Sequence, residues 1–179
     1  EMFSVLRRCM EDRTPQRMEN EFTFPDGSKG WFELRFEPAE EGVVVLSMDI
    51  TERKSAEAAL QRSNRALAAL SRCNQTLVRA KDERRFMEDV CRVVVETGGY
   101  RLAWIGMKDG DGTHSVRPVA RAGVDNGYVD QAEVTWDETE RGAGPVGRAI
   151  RTGQPVAARF IATDPELEPW REDALDRGF

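Results

Sequence analysis

A strand pattern runs into a long helix pattern without a loop between them, and this join most constrains the fold. The stretch "MDITERKSAEAAL" (residues 48–60) begins with the alternation of a β-strand and ends as a charged, alanine-rich helix. Neither glycine nor proline occurs between residues 51 and 80, which predicts a helix about 45 Å long. Since most connections take about four to six residues, a helix that leaves a sheet directly is unusual.

Three segments before the join alternate with period two and predict an antiparallel sheet. They are "NEFTF", "WFELRFE" and "GVVVLSMDI", and short turns such as "PDGS" separate the first two. The alternation gives two apolar sets, Phe32, Leu34 and Phe36 in the second segment and Val44, Leu46, Met48 and Ile50 in the third. An upstream helix is predicted from the spacing of Phe3, Leu6 and Met10. Because three strands bury one face only, we expect a partner sheet from upstream sequence or a second chain.

The join itself contains the residues that we expect to relay a conformational change, Asp49, Ile50 and Thr51. Thr51 is predicted to be the N-cap, with its hydroxyl accepting from amides of the first helical turn. The Asp49 carboxylate is expected near the positive end of the helix dipole. Ordinary capping is the plainer interpretation, and the two are compatible because a capped helix without slack transmits movement of the sheet.

Heptad spacing in the long helix predicts a dimeric coiled coil. Leu60, Leu67 and Asn74 repeat at one core position. Ala56, Ser63, Leu70 and Leu77 repeat at the other. An asparagine at a core position typically fixes the register of a parallel dimer at some cost in stability. The predicted dimer interface is therefore Leu60, Leu67, Leu70, Asn74 and Leu77, and the alternative is a helix that packs on the neighbouring domain.

Helix and strand patterns alternate after residue 81. A helix is predicted from about Asp82 to Thr97, ended by two glycines. Strands are predicted for "YRLAWIGM", "SVRPVARAG", "AEVTW" and "PVAARF", with "KDGDGTH" as the loop of a hairpin. Pro145 is expected to begin a helix that Gly153 ends. Thr163 or Asp164 is expected to cap the last helix.

Composition and motifs argue against several functional classes. A net charge of −6 with no concentrated basic face makes nucleic acid an unexpected partner. The three cysteines have neither metal nor disulfide spacing, which favours a reducing, cytoplasmic compartment, and no apolar run is long enough to cross a membrane. His114, the single histidine, is expected on a solvent-facing loop. With no nucleotide-binding or catalytic signature, we expect neither enzymatic activity, nor a metal, nor a cofactor in this chain.

Two stretches resemble known families. "ENEFTFPDGSKGWFELRFEPAEEGVVVLSMDITERKSAE" resembles the C-terminal part of a PAS sensor domain, including its exit triplet Asp49-Ile50-Thr51. "GGYRLAWIGM", "GPVGRAIRTGQPV" and "IATDPELEPWREDALDRGF" resemble a GAF sensor domain. The resemblance implies an α+β fold: part of a PAS domain over residues 1–51, a helical linker over 52–81 and part of a GAF domain over 82–179. The first GAF helix could start near residue 71.

The resemblance also implies a function. It suggests a non-catalytic segment of a longer bacterial signalling protein, which relays a signal through a homodimeric helix to an output domain such as a histidine kinase or a cyclic-di-GMP enzyme. A GAF pocket could hold an unidentified small molecule, and its candidate residues are Trp104, Trp136, Asp164 and Trp170. Two alternatives remain open at this stage: a GAF small-molecule receptor and a passive dimerisation spacer.

Overall fold

The computed structural model describes residues 2–110, 112–158 and 160–179, and the chain divides into two compact units. The first unit covers residues 1–64 and the second covers residues 65–179. The first unit contains α1 (Met2–Asp12), β1 (Gln16–Thr23), β2 (Lys29–Ala39) and β3 (Gly42–Asp49). Helix α2 (Thr51–Arg79) begins in the first unit and ends in the second. Within the described residues, no helix is both long and apolar enough to cross a membrane.

The predicted three-stranded antiparallel sheet is present, in the order β1-β2-β3. Its register, however, separates the two apolar sets. Leu46 lies opposite Arg35 and Met48 lies opposite Glu33, whereas Phe36 lies opposite Val45. Residues directly opposite one another share a face, so Leu46 and Met48 lie on the face away from Phe36. The two apolar sets are therefore divided between the two faces of the sheet.

A two-residue turn explains this register. Ala39 pairs with Gly42, so only Glu40 and Glu41 connect β2 to β3. The turn length fixes which residues pair, and a shift by one position would move every β3 side chain to the other face. As a consequence, Leu46 and Met48 are more than half exposed in the chain.

The core of the first unit lies between α1 and the sheet. Cys9 and Phe36 are its most buried residues, and the Cys9 thiol donates a hydrogen bond to the Phe36 carbonyl over 3.4 Å. Helix α1 lies where the spacing predicted it, but Phe3 and Met10 are exposed. The buried face is centred on Cys9 instead, a small apolar residue that allows the helix to approach the sheet closely.

The second unit is built on a helix and a two-stranded antiparallel sheet. Its elements are the C-terminal part of α2, α3 (Glu83–Glu96), β4 (Leu102–Lys108), β5 (Val116–Gly123), α4 (Tyr128–Gln131), α5 (Pro145–Thr152), a 3-10 turn (Pro165–Leu167) and α6 (Glu168–Asp176). Asp82 caps α3 through its side chain, and Cys91 is buried. The predicted hairpin is confirmed as β4 and β5, with Asp111 of its loop outside the described residues.

Two predicted strands of this unit are wrong. In "AEVTW" a single bridge joins Thr135 to Ser115. In "PVAARF" the described residues, 155–158 and 160, form no strand, and Arg159 lies outside the description. In "AEVTW" the backbone pairing stops after two hydrogen bonds, to residues 114 and 116, so alternation of apolar residues alone does not make a strand.

Helix α5 follows the predicted signals. Pro145 occupies its first turn, and Gly153 ends it with a positive φ of 66°. The last helical segment begins as expected, since the Asp164 carboxylate accepts a hydrogen bond from the Glu166 amide and Pro165 follows directly. These local signals worked because a cap depends only on residues within one turn.

Candidate functional site

Ile50 belongs to both the sheet and the helix, which explains the absence of a loop. Its amide donates to the Trp31 carbonyl of β2 over 2.8 Å, as a strand residue would. Its carbonyl accepts from the Lys54 amide over 3.0 Å, which is the first helical hydrogen bond of α2. The Ile50 side chain is buried. One residue thus ends the sheet bonding and begins the helix, and no loop residue separates them.

Thr51 does not cap the helix, contrary to the prediction. Its hydroxyl oxygen accepts a hydrogen bond from the Trp31 amide over 2.9 Å and so attaches the first residue of α2 to β2. The Asp49 carboxylate accepts from the Thr51 amide over 2.9 Å and so satisfies a free amide at the helix start. Hydrogen bonding from Thr51 lowers the pKa of Asp49 below its usual range. The triplet therefore makes two hydrogen bonds at the start of α2. Asp49 accepts from the Thr51 amide, and Thr51 accepts from the Trp31 amide of the sheet.

Glu19 of β1 provides a second attachment of the helix. Its carboxylate contacts the Lys54 ammonium and lies 2.7 Å from the Arg53 guanidinium. Hydrogen bonds from Lys54 and Arg53 lower the pKa of Glu19 to about 2. The Lys54 ammonium also lies 5.1 Å from the centre of the Trp31 ring, within the range of a cation–π contact. Both strands β1 and β2 are thus connected to the first turn of α2.

These ion pairs were missed in the sequence analysis. Arg53 and Lys54 were visible as charges in the first turn, but their partner Glu19 lies more than 30 positions earlier. Because surface charge runs are usually solvated, the residues themselves gave no reason to pair them. The weak signal available was that Glu19 belongs to a predicted strand of the same small sheet.

Replacement of Glu19 by Gln is expected to remove an acid-dependent part of the stability. A carboxylate whose pKa is depressed from 4.5 to about 2 contributes fully above pH 4.5, and the contribution disappears as the pH falls toward 2. The difference in urea midpoint between the native chain and Glu19→Gln should therefore be largest near neutral pH and shrink below pH 4.5. Urea unfolding across this range measures it, and Glu21→Gln on the same strand is the control. A difference that is constant with pH would contradict the pairing.

The predicted interface residues of α2 form an exposed apolar stripe. Leu60, Leu67, Leu70 and Leu77 are between 57% and 63% exposed, and Asn74 is exposed on the same side. Four leucines that remain in water within one helix constitute a larger apolar surface than isolated exposed residues. We call these four leucines and Asn74 the leucine stripe.

A different face of α2 packs within the second unit. Ala69 is buried, Cys73 and Thr76 are half-buried, and their spacing of four and three places them on one side of the helix. Arg72 donates to the Thr97 hydroxyl at the C-terminus of α3 over 2.8 Å. This side of α2 therefore contacts the second unit, and the leucine stripe lies on a different side of the helix.

Two of the four predicted pocket residues meet at one cavity of the second unit. Trp104 of β4 and Trp170 of α6 line a space of about 190 Å³. The other lining residues come from α4, α5, the segment after α4 and the 3-10 turn: Tyr128, Val129, Ala132, Val134, Pro145, Val146 and Leu167. Trp170 is buried, and its indole N–H donates to the Ala132 carbonyl over 2.7 Å. A Cβ at Gly144 would overlap the Trp170 ring, so glycine is required there.

Trp136 and Asp164, the other two candidates, do not line this cavity. The Trp136 ring lies against the exposed His114 ring at a centroid distance of 4.4 Å. Asp164 is used as a cap, and its carbonyl accepts from Arg171 over 2.8 Å. Their residue types suggest a place in a ligand pocket for both. The fold instead places Trp136 beside the hairpin loop and Asp164 at the start of a helical segment.

Glu33 and Cys91 are ionisable side chains that lie buried in the two units. Glu33, the buried acidic residue of the first sheet, pairs with Arg17 and with Arg35. Burial raises the pKa of the Cys91 thiol, so the reactive thiolate is disfavoured. In the part of the chain that the structure describes, no group of three or more His, Cys, Asp or Glu side chains could hold a metal ion.

Comparison with protein families identifies both units. A model described as "GAF domain" matches residues 80–178, and a model described as "PAS fold" matches residues 4–55. The first match contains β4, β5 and the whole cavity wall, and the second contains the sheet and the strand-to-helix junction. No curated protein and no solved structure matches the chain.

Proposed function

The chain belongs to the GAF domain family and carries a PAS fold ahead of the GAF domain, and from this premise we propose that it relays a conformational signal through a homodimeric α2. PAS and GAF domains are sensory and non-catalytic, so the chain is a sensory and signalling segment. In the proposal, Asp49, Ile50 and Thr51 transmit movement of the PAS sheet into α2. The helix carries the movement to the GAF domain.

The continuity of α2 carries this proposal. The helix runs from Thr51 to Arg79 without interruption, and the junction fixes its first turn to two strands. Its far end is connected to α3 through Arg72 and Thr97. Because each end of α2 is bonded to its own domain, a rotation or a shift of the sheet would be carried along the helix.

The exposed leucine stripe supports the homodimer. A second copy would bury Leu60, Leu67, Leu70 and Leu77 in a two-stranded seam, and the paired Asn74 residues would fix a parallel register. We divide the chain accordingly into a PAS part (1–51), a signalling linker (52–81) and a GAF part (82–179). The proposed setting is a longer cytoplasmic bacterial protein, whose output domain is a histidine kinase or a cyclic-di-GMP enzyme.

A second candidate function is a small-molecule receptor in the GAF part. The observation that favours it is the cavity between Trp104 and Trp170, which is lined by residues from five different elements of the unit. A ligand there would contact α4, α5 and α6 together, and would thereby stabilise one arrangement of these short helices. This candidate does not exclude the relay, since a receptor can be the source or the recipient of the signal.

Replacement of Thr51 by Val tests the relay against the passive spacer. Valine keeps the shape of threonine but removes the oxygen that accepts from the Trp31 amide, which should cost about 1–3 kcal/mol. Under the relay, hydrogen exchange should become faster at residues 70–79 and in α3 as well as at the junction. Under the spacer, faster exchange should be confined to β2, β3 and the first turns of α2. Hydrogen exchange read by mass spectrometry separates the two.

Two controls make this comparison specific. Thr51→Ser keeps the hydroxyl and should behave as the native chain. Cys9→Ala weakens the core of the first unit away from the junction, so its effect should not reach residues 70–79. Equal propagation from Cys9→Ala and Thr51→Val would mean that general loosening, and not the junction, is being measured.

A further inference from the structure

The size of the GAF cavity restricts what it can hold. Its volume of about 190 Å³ is below the roughly 300–1,000 Å³ of sites for drug-sized ligands. It is slightly larger than an apolar cavity of about 150 Å³ that is known to bind benzene. A single aromatic ring with one or two substituents fits this volume, and the space is partly open.

The wall of the cavity restricts the charge of its occupant. None of the residues that line it in the described chain carries a charged side chain. The Trp170 N–H is already bonded to the Ala132 carbonyl. An ion placed there would lose its hydration without gaining a counter-charge, which is unfavourable. A neutral molecule incurs no such loss.

Three aromatic side chains and one hydroxyl group are the features of the cavity wall that a neutral ligand can contact. The rings of Trp104, Trp170 and Tyr128 border the same space and offer faces and edges to another ring. Tyr128 is the hydroxyl-bearing residue of the lining, and burial, together with the negative charge of Asp173, raises the pKa of Tyr128, which favours the neutral hydroxyl that can donate a hydrogen bond. These features favour a ring over a branched aliphatic molecule.

We infer that the cavity between Trp104 and Trp170 is a binding site for a small, neutral, single-ring aromatic molecule of the phenol class. The inference rests on the receptor candidate of the proposed function and adds the chemical class of the ligand. The ring lies between the two indoles, and its polar substituent meets the Tyr128 hydroxyl. Carboxylated analogues of the same ring are excluded because the wall provides no cation.

The test is a titration of the whole chain with phenol, benzoate and cyclic AMP. The side-chain N–H signals of the four tryptophans are followed by NMR, with Trp31 and Trp136 as references outside the cavity. Phenol should shift the Trp104 and Trp170 signals with half-saturation at about 1 mM or below. Benzoate and cyclic AMP should leave both unchanged.

Cavity variants localise the binding. Val146→Phe fills the space and should weaken phenol binding by about tenfold or more, whereas Val124→Phe, at an exposed valine of the same unit, should not. Leu167→Ala enlarges the space and should bind 1-naphthol more tightly than the native chain does, a gain that misfolding would not produce.

The outcomes separate the inference from the function on which it rests. Phenol binding that Val146→Phe removes supports both. Shifts with benzoate or cyclic AMP would overturn the ligand class and retain the receptor. The absence of any response to phenol in the native chain and to 1-naphthol in Leu167→Ala would overturn the site. The homodimer is measured separately by solution mass, so neither result depends on it.

Discussion

Leu67→Asp is expected to convert a dimer of this chain into a monomer. Leu67 lies in the middle of the exposed stripe, at a core position of the heptads. An aspartate there would place two unpaired carboxylates in an apolar seam, which should cost at least about 3 kcal/mol, or roughly a hundredfold in the dissociation constant. Light scattering should show twice the 20.2 kDa chain mass for the native protein and a single chain mass for the variant.

The neighbouring residue provides a matched control. Ala68 is also exposed, but it lies about 100° further around the helix, so Ala68→Asp should remain dimeric. Asn74→Leu should shift the equilibrium in the opposite direction, because an apolar residue replaces a buried amide in the seam. If the native chain is a monomer at all concentrations, the proposed homodimer is wrong. The receptor function of the GAF cavity would then be the better supported proposal.

Trp170→Ala is expected to have the largest effect on the stability of the second unit. Trp170 is buried, packs against Gly144 and bonds to the Ala132 carbonyl. Truncation of a buried tryptophan costs about 3–5 kcal/mol, which corresponds to a fall in unfolding temperature on the order of 10 °C or more. Calorimetry of the native and variant chains measures it.

Two further tryptophan variants identify the cause. Trp170→Phe keeps a ring in the space but lacks the N–H, so its loss should be smaller than that of alanine. Trp136→Ala should also cost less, because the indole N–H of Trp136 has no hydrogen-bond partner within the described residues and its ring is half-buried. Equal losses for Trp136→Ala and Trp170→Ala would contradict the role given to the Ala132 bond and to the packing against Gly144.

Features that depend on neighbouring residues were predictable from the sequence. The strands of the first sheet, the long α2, the β4–β5 hairpin and the start and end of α5 all lie where periodicity and caps placed them. The PAS and GAF assignments are confirmed for the same reason, since each follows from contiguous motifs. The predicted leucine stripe is exposed, and the dimer that it predicts is still to be measured.

Features that depend on distant residues were predicted less well. Thr51 was expected to cap its own helix, but its hydroxyl bonds to Trp31, 20 positions earlier. Glu19 was not recognised as the partner of Arg53 and Lys54. Trp136 was grouped with Trp104 and Trp170, although it lies beside His114. In each case the residue type suggested a polar or an aromatic role, and the chain path decided which partner was within reach.

The sequence by itself determined the order of elements, the direct join of sheet and helix, and the spacing of the leucines along α2, because each is a property of one turn or one strand. The tertiary structure alone decided that Met48 and Phe36 lie on opposite faces of the sheet, that Glu19 pairs with Arg53 at the start of α2, and that Trp104 and Trp170 line one cavity without charged side chains. These depend on strand register and on loop closure between distant segments. Local periodicity gives the face of each element, whereas only the packed chain establishes which faces meet.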